Sequence, residues 1–208
     1  MQEEKVEKAK QTKPVNWLLA SWTNCLEQLQ ITCDAAFFGD SLTYLGRWYE
    51  YFPSIRCVNL GFPGDYLGGM MDRVPQIAAV SPKYVFVMGG INGFQQIGQE
   101  ETFMHQKELL FEIQKAVPNS RIIAADILPI RPAEGNALEI NREIAACNEK
   151  LRAFTSENGF GHLRLWDFYQ KDGILREEFT TDGTHLRPET YRFWAAAVGE
   201  YLGLTSTL

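Results

Sequence analysis

Two short stretches hold side chains able to attack a carbonyl and to move a proton. The first is Phe37-Phe38-Gly39-Asp40-Ser41-Leu42, where an apolar run ends in a glycine and two small polar residues. The second is Asp182-Gly183-Thr184-His185, which sets a carboxylate three residues ahead of an imidazole. A serine hydroxyl is too weakly acidic to attack unaided and needs a base whose pKa lies near working pH, the natural role of histidine. On a turn or helix start, side chains i and i+3 share a face, so Asp182 can hold one ring nitrogen of His185 while the other faces a hydroxyl. Ser41, Asp182 and His185 are therefore candidates for the nucleophile, the orienting carboxylate and the base of an acyl transfer.

Such a transfer also needs donors aimed at the oxyanion it creates. Gly64, at the end of Asn59-Leu60-Gly61-Phe62-Pro63-Gly64-Asp65, has no Cβ, so its N–H can approach a bound carbonyl closely. Asn92, in Gly89-Gly90-Ile91-Asn92-Gly93, offers a side-chain amide, and the Ser41 N–H makes a third donor. Each residue also has a plainer reading. Ser41 can cap a helix, Gly64 can serve a turn, Asn92 can bond its own backbone, and Asp182 to His185 can be an ordinary capped turn. Their joint occurrence, in this order and at the ends of apolar runs, favours chemistry.

These residues need elements to carry them. Apolar runs at 35–38, 56–60, 84–88, 121–128 and 162–166 read as five strands, and the run 84–88 lacks alternation, as a strand buried on both faces does. Helical spacing covers 15–29, 42–52, 66–80, 100–117, 137–157 and 188–202. Strands alternating with helices of this length predict a parallel sheet covered on both sides, a three-layer α/β/α domain. In such sheets ligands bind beyond the carboxyl ends of the strands, which is where Ser41, Gly64 and Asn92 fall. No repeat or linker divides the chain, so one domain is expected over 15–208, after a charged lead-in at 1–14.

With 208 residues, 45% of them hydrophobic, the chain can fill one core. A net charge of -6 without a basic stripe argues against nucleic acid or anionic membrane as partner. Cys25, Cys33, Cys57 and Cys147 are scattered without ligand spacing, so they read as free thiols and no metal is implied. The first residues mix both charge signs and lack the apolar segment of a signal peptide, from which cytoplasmic residence is expected. The segment 15–29 is too short and polar to span a bilayer; its apolar face is expected to pack on the sheet or on a second copy in a homodimer.

Taken together, Gly39-Asp40-Ser41-Leu42, the run from Asn59 to Gly64-Asp65, Gly90-Ile91-Asn92 and the Asp182-to-His185 spacing resemble the four blocks of the SGNH hydrolase superfamily, the GDSL-type esterases. The resemblance runs from about Ala35 into the C-terminal helix. It implies a flavodoxin-like sheet of five parallel strands in the order 2-1-3-4-5, with Ser41 as nucleophile, Gly64 and Asn92 as oxyanion donors, Asp182 and His185 completing a triad, and no cofactor. The chain departs from the pattern at Gly93, where many family members carry aspartate. It also lacks a G-x-S-x-G elbow, Thr43 standing at the last position, which argues against the α/β-hydrolase fold.

The pocket is expected from loops after strands two to four, with Phe62, Tyr66, Phe94, Gln95 and Ile130 as candidate walls and Tyr44 and Trp48 nearby. With no lid-like insertion, the expected partner is a small-molecule ester, such as an acetylated sugar or a short-chain ester, with a short-chain lipid or lysophospholipid as the alternative. Two rival functions are weighed against a hydrolase. One is a non-catalytic binding domain on the same fold. The other is a metal phosphoesterase using Asp34, Asp40, Asp182 and His185.

Overall fold

The structure, a computed structural model, describes residues 16–132 and 135–204, with the side chains of 16–20 left aside. The charged lead-in expected at 1–14 lies outside the described residues. Five strands form a parallel sheet: β1 (Ala35–Gly39), β2 (Cys57–Gly61), β3 (Tyr84–Met88), β4 (Arg121–Ala125) and β5 (Gly161–Leu163). Their order is β2-β1-β3-β4-β5, the expected one. Ala35 faces Cys57 on one side and Tyr84 on the other, and the pairs stay in step to Gly39–Gly61 and Gly39–Met88. This register carries the residues that follow Gly39, Gly61 and Met88 out over one edge of the sheet.

Alternation along β1 explains why its apolar run has no polar gap. Ala36 and Phe38 join one core layer with Leu67, Met70, Val85, Leu109, Ile113 and Leu151. Ala35 and Phe37 point to the other face, against Trp48, Phe86, Tyr191, Trp194 and Val198. The helices follow from that two-sided demand: α1 (Asn16–Leu29), α2 (Ser41–Tyr44), α3 (Trp48–Tyr51), α4 (Leu67–Asp72), α5 (Val74–Ala79), α6 (Phe94–Ala116), α7 (Ala137–Glu157), α8 (Trp166–Tyr169) and α9 (Tyr191–Leu202). On α1, Leu26 is buried in the first layer while Trp22 and Leu29 stay exposed. Among the described residues, no helix is long and apolar enough to cross a membrane.

Three predicted helices break. The run 42–52 divides into α2 and α3, because the Asn59 carboxamide on β2 donates to the carbonyls of Thr43, Tyr44 and Gly46 and so takes the acceptors a continuing helix would use. Trp48, expected near the pocket, is instead fully buried, its ring stacked 4.2 Å from that of Phe37. The run 66–80 divides into α4 and α5 at Arg73, which serves as the end of one and the start of the other. The helix expected from residue 188 starts as a 3-10 turn, Pro188–Thr190, before α9. Strands β4 and β5 end earlier than predicted, and a small hairpin, β6 (Gln170–Lys171) with β7 (Ile174–Leu175), follows α8.

Candidate active site

Ser41 is the first residue beyond the Asp40 cap, two residues past the end of β1. The Leu42 N–H donates to Asp40 Oδ1 at 2.9 Å, which fixes the turn and leaves the Ser41 hydroxyl half-buried at the sheet edge. Asp40 itself is wholly buried, and its second oxygen has no partner among the described residues. Burial lifts this carboxyl to about 7, against the smaller pull of the Leu42 N–H.

His185 Nε2 lies 3.0 Å from Ser41 Oγ, and its Nδ1 lies 2.6 Å from Asp182 Oδ2. The sequence placed Asp182 and His185 on one turn, and the turn is built to hold both. Asp182 Oδ1 accepts from the N–H groups of Thr184 and His185 at 2.9 and 2.8 Å. Desolvation works against the Asp182 charge, but the His185 ring and these two N–H groups outweigh it and bring the carboxyl down to about 2. The loop is closed at its base by a bridge between Thr180 and Leu186. Thr180 Oγ1 donates to the His185 carbonyl at 2.7 Å and accepts the Gly183 N–H at 2.9 Å. From the far side, the Arg131 N–H reaches the Gly183 carbonyl at 2.7 Å, so the exit loop of β4 supports the turn.

Two of the candidate oxyanion donors follow the two neighbouring strands. After β2, Phe62 to Asp65 form a turn closed by the Asp65 N–H on the Phe62 carbonyl at 3.2 Å, with Pro63 and Gly64 at its centre. Gly64 has φ +74, the left-handed value that this kind of turn needs at its third residue. The turn explains the glycine and leaves its N–H without a partner among the described residues, as an oxyanion donor would require. After β3, Asn92 Nδ2 donates to the Asp65 carbonyl at 2.7 Å, which uses one of its two hydrogens and ties the two loops together. Gly93 follows with φ +87, a backbone that favours glycine over the aspartate that the family resemblance led us to expect.

The expected pocket walls divide. Phe62 and Tyr66 are half-buried on the β2 loop and Gln95 is exposed at the start of α6. Phe94 and Ile130 are not available to a ligand. Phe94 is 1% exposed and packs with Ile127, Ile144 and Cys147, while Ile130 joins the same cluster and has its N–H and carbonyl both held by the Asn141 carboxamide. The metal-phosphoesterase ligand set also comes apart. Asp34 precedes β1, at the opposite end of that strand from Asp40, and pairs with Lys83 and the Arg56 N–H. Among the described residues, no three His, Cys, Asp or Glu side chains gather as a metal would need.

One residue that sequence reasoning passed over is Arg73. It is 2% exposed, and its guanidinium reaches Asp65 Oδ2 through Nε at 2.9 Å and through Nη2 at 2.6 Å. A lone arginine in a helical pattern reads as solvated; the clue available was its spacing of eight residues from Asp65.

No curated protein matches the chain in sequence. Solved structures do match in fold. A protein from Streptococcus pneumonia is 22% identical, with a TM-score of 0.75, covering 90% of this chain and 95% of that one. A GDSL-like lipase from Bacteroides thetaiotaomicron is 18% identical, TM-score 0.71, covering 89% and 97%. A variant of an acetyl-xylooligosaccharide esterase from Geobacillus Stearmophilus is 17% identical, TM-score 0.68, covering 85% and 97%. At these identities the likeness carries the fold alone. The family itself is fixed by sequence: the GDSL-like Lipase/Acylhydrolase model matches residues 37–193, more than half of the chain, and the chain belongs to that family of ester-bond hydrolases.

Proposed function

We propose that the chain is a serine esterase that removes a small acyl group, best an acetyl, from a carbohydrate or another small alcohol. The observation that carries this reading is the unbroken line of hydrogen bonds Ser41 Oγ, His185 Nε2, His185 Nδ1, Asp182 Oδ2. In the first half-reaction His185 takes the Ser41 proton as Oγ bonds to the carbonyl carbon. The Asp182 carboxylate stays ionised throughout and steadies the imidazolium that forms. The oxyanion is met by the N–H groups of Ser41 and Gly64 and by the free hydrogen of the Asn92 amide. Collapse breaks the ester C–O bond, and His185 returns its proton to the leaving alcohol. Water then attacks the acyl-serine with His185 again as base, releasing the acid and restoring Ser41.

A small substrate is favoured by the openness of the site. The Asp182 and His185 side chains are 51% and 39% exposed, and Tyr44 and Tyr49 stand exposed close after Ser41 in the chain. Such rings suit the apolar faces of sugars as well as short acyl chains. That a fold relative acts on acetylated xylooligosaccharides agrees with this choice.

The test is hydrolysis of p-nitrophenyl acetate by the purified protein, without added metal, beside Ser41→Ala. The variant should lose turnover while its circular dichroism is unchanged, and full activity in it would refute the assignment. A panel of acetylated sugars, short-chain esters and lysophospholipids then separates the carbohydrate reading from the lipid one. A ligand-induced rise in melting temperature with no turnover would mark a binding domain instead.

A further inference from the structure

We infer that Arg73 is a positioning residue for the oxyanion side of the site, acting through Asp65 on the Asn92 amide and the Gly64 turn. The inference rests on the esterase reading above. Arg73 touches no reacting atom. Its guanidinium instead joins the ends of β1 and β2 with the loop that carries Gly64, and the loop after β3 is tied in through the Asp65 carbonyl.

Nη2 donates to the carbonyl of Gly39, two residues before Ser41, at 3.0 Å, and Nη1 donates to the carbonyl of Leu60, near the end of β2, at 2.8 Å. Nε and Nη2 clamp Asp65 Oδ2, and Nη1 lies 3.3 Å from Gln76 Oε1. The Asp65 backbone carbonyl is the acceptor of the Asn92 amide, and its N–H closes the turn that presents Gly64. Arg73 thus fixes the one residue on which both loops depend, relative to the strand that holds the nucleophile.

The group is costly to keep where it is. Burial pushes the Asp65 carboxyl up and makes Arg73 easier to deprotonate, each partner only partly compensating the other. A buried ion pair of this kind is weak support for stability, since apolar replacements often serve as well; what it supplies is a defined geometry. The planar fork also matters, because four separate acceptors surround it and the rings of Phe38 and Phe62 lie 4.7 and 5.7 Å from its central carbon. A lysine keeps the charge and loses the fork.

The experiment compares wild type, Arg73→Lys, Asn92→Ala and the double variant on p-nitrophenyl acetate, with the Asn92 side-chain amide resonances followed by NMR. Arg73→Lys should keep KM within about threefold and lower kcat by about 10- to 100-fold, the scale expected when a catalytic group is misplaced by about 1 Å. Its Asn92 amide signals should move or broaden. The double variant should lose much less than the product of the single losses, because Arg73 acts through Asn92. Unchanged kcat, unmoved Asn92 signals, or losses that multiply would overturn the inference. Should Arg73→Lys not fold, Asp65→Asn reads the same clamp from its other end, with the same outcomes. If the wild type shows no Ser41-dependent turnover, the esterase reading has failed, and the Asn92 signals alone decide whether Arg73 positions that amide.

Discussion

His185 Nε2 meets Ser41 Oγ at 3.0 Å across a separation of 144 residues, and the two sides of that contact are held in different ways. Ser41 follows a strand buried on both faces, and its turn is pinned by the buried Asp40 cap. His185 sits on an open loop whose shape depends on Thr180, Gly183 and a carbonyl borrowed by Arg131. Ser41 is placed by the core, His185 by a few hydrogen bonds. Changes in the loop should therefore damage catalysis before they damage the fold.

Glycine substitutions test this asymmetry. Gly64 and Gly183 both take left-handed backbone, with φ +74 and +86. A Cβ on Gly64 meets open space, whereas on Gly183 it would stand 1.9 Å from the Arg131 carbonyl oxygen. Gly64→Ala should cost stability by about 1–2 kcal/mol from backbone strain, and it keeps the N–H. Its kcat should stay within roughly threefold of wild type, since no oxyanion donor is lost. Gly183→Ala must move the loop, and kcat should fall by about 10- to 100-fold. Steady-state kinetics and urea denaturation of the pair check the contrast, and equal losses in both variants would contradict it.

The Asp182 carboxyl, held down at about 2 by the His185 ring and two backbone N–H groups, carries its charge at any pH where the enzyme is assayed. Asp182→Asn should then lower kcat by roughly 10²- to 10⁴-fold, the range set by loss of the orienting carboxylate in triads of this type. The loss should be near constant between pH 5 and 8. A deficit that vanished on the acid side would show that Asp182 is already neutral there. As to stability, the lowered carboxyl contributes above the unfolded value of 3.8 and loses that contribution as pH falls through about 2. Its side chain is half exposed, so this effect should be small.

Asn92 has one amide hydrogen on the Asp65 carbonyl, and the proposed mechanism assigns the other to the oxyanion. Asn92→Ala removes both functions, and kcat should fall by about 100- to 1000-fold, the usual loss for one oxyanion donor, with KM little changed. Saturation kinetics on p-nitrophenyl acetate separate the two parameters. A loss carried wholly by KM would make Asn92 a substrate-binding residue instead.

The candidate site was legible because its residues stand where a pattern changes. Ser41, Gly64 and Asn92 follow apolar strands directly, and the register of β1 with β2 and β3 then leaves little freedom in where they emerge. Helix α7 was read to its ends, Ala137 and Glu157, since its stripe is long and Asn136 caps it on the Glu139 N–H. What stayed hidden is set by contacts between segments. Nothing local tells that the Asn59 amide will end α2, or that Arg73 will turn inward and split 66–80. Phe94 and Ile130 follow strands as pocket residues do, but the α7 side chains Ile144 and Cys147 cover them. The hairpin of β6 and β7 is two residues a side, too short for any periodicity to register.

Asp40 gives a prediction in which stability, not rate, is the readout. Its folded carboxyl is lifted by burial to about 7, whereas in the unfolded chain it titrates at 3.8. Between these values the folded state holds a proton that the unfolded state has released, so stability falls as pH rises through the window and levels off above it. Asp40→Asn keeps an oxygen for the Leu42 N–H and has no proton to lose. The stability of Asp40→Asn relative to wild type should therefore improve from pH 4 to pH 7, by an upper bound of about 4 kcal/mol, and stay constant beyond. Urea unfolding of both proteins at pH 4, 5.5, 7 and 8 gives the difference directly, and other titrating groups cancel in it. A difference that does not change with pH would mean that Asp40 is ionised in the folded protein, its orphan oxygen reached by a donor such as water.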